Sequence, residues 1–146
     1  MQRYKQKRGK QNGRCGKNFV DTMIRIARNK NEVKVVNDQF GSPTCVDDLA
    51  KVIVEMIQSD KYGYYHVVCD GDYITWYEFC CEIYRILDIK TKVTPISSKE
   101  YNMSNAKRPH NSRLKRDKYV NSGFKALPEW KVCLSNYLNS VYKNTL

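Results

Sequence analysis

The chain has 146 residues, of which 41% are hydrophobic, so it is long enough to form one domain with a buried core. Its formal net charge of +11 is uneven, because residues 1–17 contain seven of the 26 basic side chains and no acidic one. The remaining charges are nearly balanced, which argues against a folded basic face and a nucleic-acid partner. No stretch approaches the roughly 20 apolar residues of a membrane span, and no apolar signal region follows the basic start, so we expect a cytoplasmic protein without a membrane partner.

The first segment, residues 1–16, is polar and basic with no periodic apolar face, so we expect it to be disordered. The spacing of Gly9, Gly13 and Gly16 is similar to a dinucleotide-binding fingerprint. That fingerprint requires a buried strand before the glycine loop and a helix after it, and no strand pattern precedes these glycines. The segment is therefore predicted to contain no cofactor-binding residue.

A helix, a strand and a second helix are predicted after this first segment. Asn18 is the predicted N-cap of a helix that ends near Asn29, and Val33–Val36 has the β-branched composition of a strand. Thr44 and Asp47 predict a capping box at the start of the next helix. Apolar residues at helical spacing predict the buried face of that helix, and they are Val46, Leu49, Ala50, Ile53 and Ile57.

The loop between that strand and that helix covers residues 37–44 and contains Gly41 and Pro43. In α/β folds such loops lie at the carboxyl ends of strands, where ligands usually bind. A glycine and a proline also fit a loop that only shapes a turn. Both interpretations of the loop remain open from these residues alone.

The second half of the chain continues the alternation of strands and helices. A strand is predicted over Tyr64–Val68, and Thr75 with Glu78 predicts a capping box for the third helix. Lys92–Ile96 predicts an edge strand, because its proline removes one donor from the ladder. Pro128 is the predicted first residue of the last helix. The alternation favours an α/β layer structure with mostly parallel strand pairing.

The six cysteines do not form a metal-binding pattern. No C-x-x-C pair is present, and His66 and His110 are not spaced to complete a tetrahedral zinc site. We therefore expect no metal site and interpret the cysteines as reduced residues, mostly in the core. They are Cys15, Cys45, Cys69, Cys80, Cys81 and Cys133.

No pair of side chains in the sequence is arranged for catalysis. Asp47 and Asp48 are adjacent, so on a helix they point about 100° apart and do not form a carboxylate pair. A later loop is richer in hydrogen-bond donors, because Arg108 is followed by a proline and then by Asn111 and Ser112. That set fits phosphate recognition and an ordinary solvated loop equally well. No catalytic residue is predicted.

Motifs from Gly16 to the end of the chain occur together in the order and spacing of one family. They are Gly16-Lys17-Asn18-Phe19-Val20, Val35 to Thr44 (VVNDQFGSPT), Asp48-Leu49-Ala50, Gly63-Tyr64-Tyr65-His66-Val67, Trp76-Tyr77-Glu78-Phe79, Arg108-Pro109, Asn111-Ser112 and Leu127-Pro128-Glu129-Trp130. With them the chain resembles the C-terminal part of the dTDP-4-dehydrorhamnose reductases, which are extended short-chain dehydrogenases. Intact members reduce dTDP-4-dehydro-L-rhamnose to dTDP-L-rhamnose with NADPH.

The resemblance implies an α/β fold that is the C-terminal part of an NAD(P)-binding, Rossmann-like enzyme, with a small, partly parallel sheet and flanking helices. It also implies that the partner of the chain is a dTDP-sugar. The substrate-binding residues that it implies are Lys17, Asn18, Gln39, Gly41, Ser42, Pro43, Thr44, Arg108, Asn111 and Ser112.

The chain departs from that family in the parts that carry the chemistry. The family has a Tyr-x-x-x-Lys pair for proton donation and cofactor binding, and none of the eleven tyrosines here has a lysine four residues later. We therefore expect residues 17–146 to be the substrate-binding domain of a truncated reductase that alone binds no NADPH and is inactive. The surface left by a missing domain predicts self-association. The alternatives are a non-catalytic regulatory module of the same fold and a small basic nucleic-acid-binding protein.

Overall fold

The computed structural model describes residues 18–101 and 108–142. The predicted disorder of residues 1–16 lies outside these ranges, as do Cys15 and Lys17. Helices and strands alternate along the described residues, which confirms the α/β prediction. The elements are α1 (Phe19–Ala27), β1 (Glu32–Val36), β2 (Phe40–Gly41), α2 (Val46–Ile57), β3 (Ile74–Thr75), α3 (Trp76–Ile86), β4 (Lys92–Ile96), α4 (Asp117–Asn121) and α5 (Trp130–Tyr142).

A parallel pair of strands, β1 and β4, lies beside the helices. Their register places Glu32 opposite Lys92 and Val36 opposite Ile96, and α3 contacts both strands. Among the described residues β4 pairs only with β1, which agrees with its prediction as an edge strand. Pro95 is tolerated in β4 because an edge strand has one side on which no ladder donor is needed.

Two helices begin where their capping residues predict. The Asn18 side chain accepts a hydrogen bond from the backbone N–H of Asp21 at 2.8 Å, and α1 starts at the next residue. At α3 the Glu78 N–H donates to the Thr75 hydroxyl at 3.1 Å, while the Thr75 N–H donates to the Glu78 carboxylate at 2.7 Å. The predicted capping box of α3 is therefore present.

The core lies between α1, α3, α5 and the parallel strands. Ile83 and Leu138 are fully buried, and Phe79 contacts Trp130 edge to face with ring centroids 5.8 Å apart. The buried Tyr84 hydroxyl donates to the Met23 carbonyl at 2.9 Å, and burial raises the pKa of this phenol. The five cysteines in the described ranges are free thiols, as predicted.

Two predicted helix starts are wrong. Thr44 does not cap α2, because its hydroxyl donates to the Ser42 carbonyl at 3.2 Å and the helix begins at Val46 without a side-chain cap. The last helix begins at Trp130 and not at Pro128. The Pro128 carbonyl accepts from the Asp70 N–H and the Trp130 N–H donates to the Asp70 carbonyl, both at 3.0 Å, so backbone pairing occupies these residues.

The predicted strand over Tyr64–Val68 is also wrong. These residues form no ladder in the described part of the chain, and the backbone pairs only further on, at a single bridge between Asp70 and Glu129. Tyr64 is 94% exposed, whereas Val68 is buried. The aromatic residues supply the composition of a strand, but no neighbouring strand satisfies their backbone.

The predicted buried face of α2 is largely exposed. Val46 and Ile57 are 75% and 76% exposed, and Ile53 is 50% exposed, as is Val54 at 51%. We call these four residues the α2 stripe. Val52 is the buried residue of the helix. Within the described ranges, no helix has the length and apolar character to cross a membrane.

Candidate functional site

Three segments that are distant in sequence meet around Phe40. β2 pairs antiparallel with β3, which places Phe40 opposite Thr75. On its other side, the Phe40 N–H donates to the His110 carbonyl at 2.8 Å and its carbonyl accepts from the Ser112 N–H at 2.9 Å. The glycine–proline loop, the start of α3 and the loop after Arg108 therefore lie next to one another.

An open cleft lies at this junction, with an empty volume of about 420 Å³ that includes space open to solvent. The space comparable with known ligand pockets is only about 130 Å³, below their usual range of roughly 300–1,000 Å³, so the cleft is shallow by itself. Gly41 allows a close approach at its wall, because a Cβ at this position would lie 3.3 Å from the Ser112 hydroxyl. The residues that line the cleft are Gly41, Ser42, Pro43, Ile74, Thr75, Trp76, Phe79 and Ser112.

One polar atom of the cleft lacks a protein partner. The Ser42 hydroxyl oxygen is buried and makes no hydrogen bond with any of the described residues. An unsatisfied buried hydroxyl is costly, and native structures usually provide such a group with a partner. The residue lies at the wall of the cleft, and its hydroxyl would have to turn toward the cleft before a polar atom of a bound molecule could supply that partner.

The loop that carries Ser42 is held in place by Ser98. Asp38 accepts hydrogen bonds from the Ser98 backbone N–H, at 2.9 Å, and from its hydroxyl, and the Gln39 amide donates to the same hydroxyl at 2.9 Å. The hydrogen bond from the Ser98 side chain lowers the pKa of Asp38 below its ordinary value. His110 approaches from the other side, with its Nδ1 3.1 Å from the Asp38 carbonyl oxygen. The cleft wall is thus anchored before any ligand binds.

The structure brings four of the predicted binding residues to the cleft. Gly41, Ser42, Pro43 and Ser112 line it directly. Thr44 follows them in the loop, where it bonds to the Ser42 carbonyl. The glycine–proline loop therefore lies at a cavity. The role of each of these residues in binding stays a prediction.

Other predicted binding residues make contacts within the protein. Gln39 holds the loop through Ser98, and Asn18 caps α1 while its amide donates to the Tyr137 hydroxyl at 3.0 Å. The Asn111 side-chain oxygen accepts from Arg113. Arg108 is exposed. Lys17 lies outside the described residues.

The sequence did not indicate the apolar half of the cleft. Ile74, Trp76 and Phe79 form it, and none of them is among the predicted binding residues. Trp76 does pack, with its ring centroid 4.8 Å from that of Phe19, but it also reaches the cleft wall. The pairing of β2 with β3 involves two residues in each strand, which is too short to leave a periodic signal.

The chemistry of the cleft is that of a binding site. Its wall combines aromatic and aliphatic side chains with a few hydroxyl groups, which is the usual composition of a small-molecule pocket. Within the described ranges, no three metal-ligating side chains converge on a common point. Fold and site together define an α/β domain with an open cleft of mixed apolar and hydroxyl lining.

Comparison with known proteins gives the family. The RmlD substrate binding domain model matches residues 12–143, and the chain belongs to that family. It is 32% identical to the dTDP-4-dehydrorhamnose reductase of Escherichia coli K12 over an alignment of 142 positions, which covers 89% of this chain and 46% of that protein.

Solved structures agree with the sequence comparison. The dTDP-4-dehydrorhamnose reductase of Clostridium acetobutylicum superposes with a TM-score of 0.81 at 39% identity, over 86% of this chain and 44% of that one. The enzyme of Bacillus anthracis, solved in complex with NADP, gives a TM-score of 0.81 at 36% identity, over 87% and 44%. The chain therefore spans less than half the length of these relatives, and the part it matches is the C-terminal one.

Proposed function

We propose that this chain binds a dTDP-sugar in the cleft as the substrate-binding part of a dTDP-4-dehydrorhamnose reductase. The observation that carries the proposal is the cleft itself, where Gly41, Ser42 and Pro43 meet Ser112 and the buried Ser42 hydroxyl lacks a partner. Relatives that share the fold over this region are named as reductases of such a sugar. Six of the eight residues that line the cleft belong to motifs that carry the resemblance.

The two walls of the cleft suit the two characters of an activated deoxysugar. Trp76 and Phe79 offer apolar surface to a methyl group or a base. The Ser112 hydroxyl donates to the Phe40 carbonyl at 3.0 Å, so its oxygen is left to accept a hydrogen bond from a sugar hydroxyl. Arg108 lies four residues before Ser112 in an exposed loop. A guanidinium there would bind a diphosphate through paired hydrogen bonds.

We further propose that the 146-residue chain performs no reduction by itself. NADPH is the reductant in the intact family, and the Tyr-x-x-x-Lys pair that accompanies it does not occur in this sequence. The described residues would contribute binding and orientation of the sugar. Proton donation and the cofactor site would come from the half that precedes the matched region in the relatives.

The α2 stripe gives this proposal a second part. Four exposed aliphatic side chains on one helix form an apolar surface that a monomer would rarely leave uncovered. We propose that the 146-residue chain associates with itself through this surface when the preceding half is absent. Neither a nucleic acid nor a membrane is part of the proposed function.

The binding proposal is tested by replacing Arg108 with alanine and titrating the isotope-labelled chain with dTDP. Charge-assisted hydrogen bonds contribute about 1.5–3 kcal/mol, so Arg108→Ala should weaken binding roughly 10- to 150-fold. The backbone amides of Ser42, Thr75 and Ser112 should shift during the titration. Arg3→Ala removes the same charge from the basic start and should change affinity less than about twofold. Equal weakening by the two variants would show that binding is diffuse charge attraction.

A further inference from the structure

Arg113 is a cation near the cleft that has no role in the proposed binding site. Its backbone N–H and its Nε both donate to the Asn111 side-chain oxygen, at 3.1 Å and 2.8 Å. Its guanidinium carbon lies 5.0 Å from the ring centroid of Tyr73 and 6.0 Å from that of Phe40. The Nε hydrogen bond and the two aromatic rings therefore restrict the orientation of the guanidinium plane, and the backbone hydrogen bond holds the Asn111 side chain beside it.

The position of Arg113 is beside the cleft. Three of its neighbours each adjoin or form the cleft wall, because Phe40 precedes Gly41, Tyr73 precedes Ile74, and Ser112 lines the cleft itself. The guanidinium thus lies next to the strand pair β2–β3 that supports the cavity.

The charge of Arg113 is not balanced by an acidic side chain. All acidic side chains of the sequence lie in the described ranges, and none of them is within ion-pair distance of Arg113. Its neighbours in the same loop differ, since Arg116 pairs with Asp70 and Lys115 pairs with Asp117 at 3.0 Å. Arg113 is therefore a held cation with its outer guanidinium edge available to an anion.

We propose that Arg113 is a second anion-binding residue of the cleft, positioned by Asn111, and that it binds one phosphate of the diphosphate group. The proposal rests on the proposed function for the identity of the ligand, and it reassigns Asn111. Asn111 acts through Arg113, because its side-chain oxygen already accepts two hydrogen bonds from that residue. Arg108 and Arg113 would then provide one guanidinium for each phosphate.

In the test, the isotope-labelled chain is titrated with inorganic pyrophosphate while the NMR signal of the Arg113 side-chain Nε–H is monitored. Pyrophosphate and dTDP should both shift this signal, and thymidine, which carries no phosphate, should leave it unchanged. Arg113→Gln should weaken pyrophosphate binding roughly 10-fold or more. Lys115→Gln removes the same charge two residues away and should change it less than about twofold.

The positioning role of Asn111 has a separate signature. Asn111→Ala leaves the net charge unchanged, so it should broaden the Arg113 Nε–H signal and weaken pyrophosphate binding without altering the thermal unfolding midpoint by more than a surface substitution does. Asn111→Asp keeps the acceptor and should preserve the sharp signal, while its added negative charge lowers affinity.

Either of two results would overturn the proposal: no shift of the Arg113 signal with pyrophosphate, or equal losses in Arg113→Gln and Lys115→Gln. The proposed function fails separately. If dTDP binding depends on Arg108 but not on Arg113, the cleft assignment stands and this inference is wrong. If pyrophosphate shifts Arg113 while thymidine and dTDP leave the amides of Ser42 and Thr75 unchanged, the anion site stands and the nucleotide-sugar assignment is wrong.

Discussion

Helices α2 and α3 have the same kind of sequence and opposite surroundings. Each has apolar residues at helical spacing and a threonine and an acidic residue near its start. In α3 the capping box forms and Ile83 is fully buried, whereas α2 has no side-chain cap and Ile57 is 76% exposed. Periodicity therefore predicts that a helix has an apolar face, but it does not say which part of the protein covers that face.

The two helices differ in whether the described residues supply the surface that covers them. The core around α3 is closed by α1, α5 and the β1–β4 pair, all of which the described residues supply. The relatives that this chain matches are more than twice as long, and the matched part is C-terminal. Exposed apolar surface often marks a contact with another chain or domain, so we propose that the half preceding the matched region in the relatives covers the α2 stripe.

The largest expected contrast is between two isoleucines. Ile83→Ala removes a fully buried side chain and should lower the free energy of unfolding by about 2–5 kcal/mol, because the cavity cannot collapse completely. Ile57→Ala removes the same atoms from an exposed position and should change it by less than about 0.5 kcal/mol at a concentration low enough for the chain to be monomeric. Urea denaturation of both variants measures the two changes. Similar losses in both would mean that α2 is covered in solution.

The second contrast is between two threonines at helix starts. Thr75→Ala removes the hydroxyl that accepts from the Glu78 N–H, so it should cost about 1 kcal/mol of stability. Thr44→Ala removes a hydroxyl that makes no capping bond and should cost less than half of that. The thermal unfolding midpoints of the two variants measure this difference. A larger loss of stability in Thr44→Ala would mean that Thr44 does cap α2, as the sequence predicts.

The third and smallest contrast in stability concerns Ile57→Glu on the α2 stripe. A carboxylate at a 76% exposed position should alter the unfolding free energy by only about 0.5 kcal/mol, yet it should oppose burial of the stripe against another chain. Analytical ultracentrifugation should show concentration-dependent association of the unmodified chain and a monomer for Ile57→Glu. A stable monomer in both samples would rule out self-association through this helix.

Local signals predicted those parts of the fold that depend on neighbouring residues. The Asn18 cap, the Thr75–Glu78 box and the strands around Val35 and Pro95 all occur as predicted. The failures depend on contacts distant in sequence. Pairing of Asp70 with residues 128–130 sets the start of α5 two residues late, and Tyr64 finds no strand to pair with.

In the candidate site, too, some residues are predicted by local sequence signals and others are recognised only from the structure. The glycine–proline loop and Ser112 were predicted as binding residues and lie together at the cleft. Trp76 was not, because a ring that packs against Phe19 has the same sequence signal whether or not it also faces a cavity. Arg113 was overlooked for a related reason, since only the structure reveals that Asn111 and Tyr73 hold it in place.

The central claim is that this chain contributes substrate binding and no reductive chemistry. The most direct measurement is the rate of NADPH oxidation when the purified 146-residue chain is mixed with dTDP-4-dehydro-L-rhamnose. The full-length Bacillus anthracis reductase, assayed in parallel, serves as the positive control. The account predicts no oxidation above that of buffer for this chain, because the sequence contains no Tyr-x-x-x-Lys pair. Reproducible turnover that increases with the concentration of the chain would contradict it.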